Sequence, residues 1–201
     1  MAIHTVVFDM GGVLVKHVQI AGAIAARYGI DEETMLADYA AYDGPIMDGL
    51  LQPKDYWIHA SARFHLDPDA DPICEMFHPI PNEPVLKTIR DLKERGGVRL
   101  LLGSNTCAYH WQVIDGMVHL SSLLDKCYLS FEMHVSKPQP EFFRTILGEE
   151  GIHPEETLFV DDIKRNVESA QSTGMQVLHF QDTDFWPADT KLRALLGLDY
   201  E

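Results

Sequence analysis

FDMGGVL, residues 8–14, follows the apolar run Thr5–Phe8: a carboxylate, Asp9, stands at the end of that run, and Gly11 and Gly12 come just after it. Four β-branched and aromatic residues in a row have the length and bulk of a buried strand, and paired glycines permit a tight turn directly after it. Similar short runs recur at Val98–Leu102, Cys127–Phe131, Thr157–Val160 and Gln176–Phe180. Most are separated by segments of helical period. In NEPVLKTIRDLKERGG, Asn82 is placed to cap, Val85, Ile89 and Leu92 share a face, and Gly96 and Gly97 stop the helix. KPQPEFFRTILGEEG predicts a second helix, with Pro140 in its first turn, Phe143 and Leu147 four apart and Gly151 beyond its end. A third runs from Lys164 to Thr173. Strands alternating with helices predict βαβ units, hence an α/β fold with a parallel sheet.

Residues 15–81 break this rhythm. No convincing strand is visible there, and helical patches are separated by the breakers YGIDEE, DGP, LQP and LDPDADP. Ile20, Ile24 and Tyr28 have helical spacing, as do Tyr56, Ala60 and Phe64, and both sets read as packing faces. The expected division is a core of residues 1–14 and 82–201 with a small helical cap, residues 15–81, inserted after the first strand.

The chain has 201 residues, 46% of them hydrophobic, enough for one substantial core and a small subdomain. Acidic residues outnumber basic ones 31 to 16, for a formal charge of −15 and a pI near 4.9. That balance opposes contact with nucleic acid or an anionic membrane. It also repels small phosphorylated ligands, so a site for one has to gather its own positive charge. Cys74, Cys107 and Cys127 form no CxxC pair and point to neither a disulfide framework nor a zinc ribbon, which fits a reducing cytoplasm. No basic leader region and no run of about 18 apolar residues is present, so no targeting or membrane segment is expected. The sequence does not reveal an oligomeric state.

In open parallel sheets, ligands gather beyond the carboxyl ends of the strands. The polar residues found there are Asp9, the stretch Ser104-Asn105-Thr106, Lys137 before Pro138, and the pair Asp161-Asp162. Taken singly, an aspartate after a strand can make an Asx-turn, a serine or asparagine can cap a helix, and a lysine is ordinarily solvated. Adjacent carboxylates directly after LFV repel each other unless a cation or donors neutralise them, and a hard divalent ion such as Mg²⁺ is the simplest partner.

Order and placement together carry more. The chain resembles the haloacid dehalogenase superfamily of aspartate-nucleophile hydrolases, in its phosphatase-like branch with an FDxGxVL first motif, which includes α-D-glucose-1-phosphate phosphatase-type members. FDMGGVL matches the first motif, LLGSNT the second, SKPQPEFF the third and LFVDDIKRN the fourth, and MDGLLQPKDYW in the cap matches an acidic-glycine-aromatic stretch. The resemblance implies a Rossmann-like three-layer core with a small cap. Asp9 would be the nucleophile that accepts a phosphoryl group and yields it to water. Mg²⁺ would sit between Asp9, the Gly11 carbonyl, Asp161 and Asp162. Ser104, with the Asn105 backbone amide, and Lys137 would hold the transferring oxygens, and Asn166 would orient the metal or a water.

Family phosphatases commonly place a second aspartate two residues after the nucleophile as acid and base, and here that position is Gly11. Losing such a group typically forfeits on the order of 10²–10⁴ in rate. The loss matters less for a good leaving group, and FDxGxVL relatives among the sugar-phosphate phosphatases also lack the second acid. Lys16 and His17 follow in the flap, where His17 has the chemistry to donate a proton, and Tyr42, Tyr56 and Trp57 have the chemistry to line a sugar-sized pocket. The expected function is Mg²⁺-dependent hydrolysis of a small phosphorylated metabolite, with sugar phosphates as the leading class. The rivals are a metal-independent 2-haloacid dehalogenase using the same Asp9, and a binding protein that retains the fold without catalysis. No GxSxG elbow supports a serine hydrolase and no GxGxxG a dinucleotide fold.

Overall fold

A computed structural model describes residues 2–181 and 188–198. The elements in chain order are β1 (Thr5–Phe8), β2 (Val15–Lys16), α1 (Ala21–Tyr28), α2 (Glu32–Met47), α3 (Pro53–Phe64), α4 (Pro72–Met76), β3 (Ile80–Pro81), α5 (Glu83–Arg95), β4 (Arg99–Ser104), α6 (Ala108–Val118), α7 (Leu120–Leu123), β5 (Lys126–Leu129), α8 (Ser130–Met133), α9 (Pro140–Glu150), β6 (Thr157–Asp161), α10 (Lys164–Ser172), β7 (Gln176–His179) and α11 (Ala188–Leu195).

Five strands form one parallel sheet in the order β5-β4-β1-β6-β7, with β1 at its centre. Successive strand residues face opposite sides, and the sequence uses both. Val6, Phe8, Leu100, Leu102, Leu158 and Val160 pack beneath α5 and its neighbours, through Val85, Leu86, Ile89 and Leu92. Val7, Leu101 and Phe159 pack on the other face against Phe142, Phe143 and Ile146 of α9. Burial on both faces explains why the strands read as continuous apolar runs rather than alternating ones. The result is the expected three-layer α/β core.

Helices α1 to α4 gather a cluster of their own around Ile24, Met35, Ile46, Tyr56, Trp57 and Ala60. Cys107 of the core closes it from below. Cys74, Cys107 and Cys127 are all free.

Four local readings are corrected. Residues 15–81 do contain strand: Val15–Lys16 and Ile80–Pro81 pair as an antiparallel ribbon at the neck of the insertion, too short for alternation to show. The breaker DGP lies inside α2, where Pro45 removes one hydrogen bond near the helix end and buried Ile46 anchors the last turn. The run Cys127–Phe131 stops at Leu129, because Ser130 turns into α8. Asn82 occupies the N-cap position of α5 without a side-chain cap, since Pro84 removes the donor at N2. Its amide instead donates to the buried Val13 carbonyl at 2.7 Å and pins the turn after β1 to the start of α5.

His110 on α6 stacks flat on Phe77, ring centroids 3.9 Å apart, with its Nε2 buried and without a partner among the described residues. Burial pushes its pKa down to about 4. The unfolded chain therefore binds a proton that the folded chain refuses, and stability falls as pH drops from 6.5 towards 4. His110→Phe is expected to remove about 2 kcal/mol of the loss that wild type shows between pH 7.5 and pH 5, read from urea midpoints at the two pH values.

Candidate active site

The polar residues expected at the strand ends meet at the carboxyl edge of the three central strands and the loop after β5. Asp9 follows β1 directly, and its amide donates to the Val160 carbonyl at 2.8 Å, so the nucleophile candidate is held by sheet geometry. Asp161 ends β6, Asp162 follows it, and Ser104 ends β4. Lys137 comes from the loop after α8. Asp9 is 6% exposed, Lys137 3%, Ser104 1% and Asp161 0%. Burial of this much charge requires partners.

Lys137 supplies them. Its Nζ lies 2.8 Å from Asp9 Oδ1 and 2.8 Å from Asp161 Oδ2, and 5.3 Å from the centroid of the Phe159 ring. Asp9 Oδ1 also accepts the Met10 amide at 2.7 Å, which leaves Oδ2 as the oxygen without a hydrogen bond among the described residues. Burial raises the Asp9 pKa well above the usual carboxylate range and Asp161 adds to the rise, while Lys137 opposes it. Burial alone would lower the Lys137 pKa, yet Asp9 and Asp161 together hold it above the ordinary lysine value, so the ammonium stays charged.

Asp161 is supplied with donors on both oxygens: the Ile163 amide at 2.8 Å and Asn166 Nδ2 at 3.2 Å on Oδ1, and Lys137 and Asn166 Nδ2 at 3.1 Å on Oδ2. Asp162 is not. Its Oδ1 is buried with no partner among the described residues, and burial followed by Asp161 raises its pKa. Each of Asp9, Asp161 and Asp162 offers an oxygen within 4.8 Å of the others. Three carboxylates against one ammonium leave two negative charges, an all-oxygen set that fits a divalent cation such as Mg²⁺.

The glycines make room. Gly12 has φ +75°, and an added Cβ there would overlap the Asp162 carboxylate. A Cβ on Gly11 would lie 3.0 Å from Val18 Cγ2. Of the other expected residues, Asn105 directs its carboxamide to Lys137, donating to that residue's carbonyl and accepting its amide, both at 2.8 Å. Its side chain is thereby turned away from any ligand. Ser104 Oγ makes one long contact, 3.4 Å, to the Asn105 carbonyl. Lys16 and His17 are exposed. Tyr56 and Trp57 are buried in the cap cluster, with Trp57 Nε1 donating to the Asp67 carbonyl at 3.2 Å, so they hold helices together.

Sequence reasoning missed His179, whose Nε2 lies 2.9 Å from the Asp162 carbonyl and steadies the acidic loop from the end of β7. A histidine at a strand end carried no signal of that role.

This arrangement has relatives. The haloacid dehalogenase-like hydrolase family matches residues 3–174. The chain belongs to that family. It is a hydrolase, and relatives named as phosphatases accompany it. The sesquiterpene phosphatase astK of Aspergillus oryzae is 28% identical over 205 residues, 95% of each chain. Among solved structures, the haloacid dehalogenase (HAD) family enzyme bt-2542 of Bacteroides thetaiotaomicron, in complex with magnesium and inorganic phosphate, superposes with a TM-score of 0.73 at 24% identity, covering 92% of this chain and 98% of that one. The L-2-haloacid dehalogenase of Xanthobacter autotrophicus with chloropropionic acid covalently bound is more distant, with a TM-score of 0.67 at 18% identity, covering 97% and 83%. At these identities the two structures establish the shared fold.

Lys137→Met leaves Asp9 and Asp161 buried without their cation. It is expected to cost about 3–5 kcal/mol at pH 8. Asp9, whose carboxyl pKa burial raises, is tolerated better once protonated, so the gap to wild type narrows as pH falls towards 5, and chemical denaturation at both pH values checks this.

Proposed function

We propose that this hydrolase is a Mg²⁺-dependent phosphomonoesterase acting on a small phosphorylated metabolite, with sugar phosphates as the leading class. The observation that carries the reading is the asymmetry of Asp9: Lys137 and the Met10 amide fix one carboxylate oxygen and leave the other open, in a group with Asp162, whose Oδ1 is buried without a hydrogen bond among the described residues.

Asp9 Oδ2 attacks phosphorus, the ester P–O bond breaks, and the phosphoryl group rests on Asp9 as an acyl phosphate while the leaving oxygen departs as the alkoxide and takes its proton from solvent water. Water then attacks that phosphorus, releasing inorganic phosphate and the free carboxylate. The Lys137 ammonium keeps Asp9 oriented and faces charge on the transferring group, and the Ser104 hydroxyl offers a donor to its oxygens. Asp9, the Gly11 carbonyl, Asp161 and Asp162 would hold Mg²⁺, which supplies charge neutralisation when bound. Asn166 keeps Asp161 aligned, and the Asn105 backbone amide offers a second donor to the phosphoryl oxygens. The core comprises 1–14 and 82–201, and the cap, 15–81, reads the substrate. The relative named as a sesquiterpene phosphatase supports the phosphatase reading. The free cysteines support a cytoplasmic setting.

The dehalogenase alternative asks an anionic substrate to approach three carboxylates balanced by one lysine, which is unfavourable without a cation. The binding-only alternative leaves the buried Asp9–Lys137–Asp161 cluster without a use.

Phosphate release from p-nitrophenyl phosphate and a metabolite panel, with and without Mg²⁺, tests the reading. Asp9→Asn is expected to lower kcat by about 10³-fold or more, and chelation to abolish turnover. Activity surviving either change sinks the mechanism, and halide release from a chloroacid without Mg²⁺ establishes the rival. Since Gly11 offers no proton to the leaving oxygen, kcat/KM is further expected to fall steeply as the pKa of the leaving alcohol rises across a series of aryl and alkyl phosphates.

A further inference from the structure

The cap also touches the core at a place remote in sequence from the ribbon of β2 and β3. Met47, Asp48 and Gly49, at the end of α2, lie against the segment from Ser130 to Ser136 that leads into Lys137. The Ser136 hydroxyl donates to Asp48 Oδ1. His134 Nδ1 lies 2.9 Å from the Asp48 carbonyl. Ser130, fully buried, donates its hydroxyl to the Met47 carbonyl and accepts the Thr106 amide at 3.0 Å, so it joins the cap to the loop after β4 as well. Gly49 has φ +73°, and a side chain there would overlap the Phe131 carbonyl. Four separate features of a three-residue stretch thus serve one contact, and all of them end on residues of the segment 130–136 that leads into Lys137.

We propose that Asp48 is a positioning residue: presented by the cap, its carboxylate fixes Ser136 and through it the backbone of Lys137, so that the ammonium is set between Asp9 and Asp161 when the cap is seated. Lys137 is gripped from two sides. Asn105 holds its amide and carbonyl from within the core, and Asp48 holds the preceding residue from the cap. The core grip is present whatever the cap does, whereas the cap grip makes the cation's placement depend on cap docking. A rigid ammonium matters because it contacts two carboxylates at once, and a displacement of an ångström breaks one of the two contacts. The kinetic part of this proposal rests on the phosphatase reading, and the structural part does not.

Hydrogen exchange at the Lys137 amide, followed by NMR, and steady-state turnover of p-nitrophenyl phosphate test it in the full-length protein. Asp48→Ala and Ser136→Ala are each expected to speed Lys137 amide exchange about tenfold and to lower kcat about tenfold with KM within about twofold. The double variant should be no worse than either single one, because one interaction is removed in all three. Asp48→Asn keeps an acceptor oxygen for the Ser136 hydroxyl and is expected to restore both readouts to within about twofold of wild type. Additive losses, an Asp48→Asn variant as impaired as the alanine one, or unchanged exchange at Lys137 overturn the proposal. A rise in exchange spread equally over α2 and α3 also overturns it, assigning Asp48 to cap stability alone. Should wild type release no phosphate from any ester, the phosphatase reading fails while the exchange comparison still decides the role of Asp48.

Discussion

A lysine ammonium buried between two carboxylates is the constraint on which the rest of this structure depends. The side chains of Lys137 and Asp161 are 1% and 0% exposed, and each charge is tolerable because the other is there. The pairing demands that residues 9, 137 and 161 arrive within hydrogen-bonding distance, although they are far apart in the chain. A parallel sheet achieves that because it delivers all its strand ends to one edge, and β1 at the centre puts Asp9 beside β6. The packing of Val7, Phe159 and Phe143 on the α9 face fixes the strands that carry these charges. Core burial and site electrostatics are therefore one problem: loosening the sheet separates the ions, and removing the lysine leaves like charges buried together.

The second constraint is an excess of negative charge. Acidic residues dominate the chain as a whole, and the site repeats this imbalance locally, with Asp162 carrying an oxygen that no described group satisfies. An orphaned buried carboxylate oxygen is expensive in a finished protein. The arrangement suits a site poised to attract a cation.

How far the sequence disclosed this depends on the range of each interaction. The strands were legible because burial on both faces leaves continuous apolar runs, and the strand-end residues Asp9, Ser104, Asp161 and Asp162 followed from the topology rule. Helix α5 was legible from its period, but the work of Asn82 was not, because its partner Val13 lies 69 residues away. Asp48 and Ser136 lie in two separately matched stretches, MDGLLQPKDYW and SKPQPEFF, and their contact across 88 residues is legible in neither. The ribbon of β2 and β3 was invisible for a different reason, since two residues per strand are too few to show a period. Pro45 misled because a proline one turn from a helix end removes a single hydrogen bond, which the buried Ile46 below it offsets.

The two glycines of FDMGGVL can now be separated by what would replace them. At Gly12 a side chain would meet the Asp162 carboxylate in a backbone conformation that favours glycine, so that residue is set by the acidic loop across from it. Gly11 has no such backbone demand. The space a side chain would enter there is bounded by the Val18 methyl, which is apolar and belongs to the flap before the cap. An acid introduced at position 11 would need the Val18 side chain to give by only a few tenths of an ångström. Restoring a donor at position 11 therefore turns on a small shift of one valine side chain, whereas position 12 is closed both by the Asp162 carboxylate and by its backbone conformation.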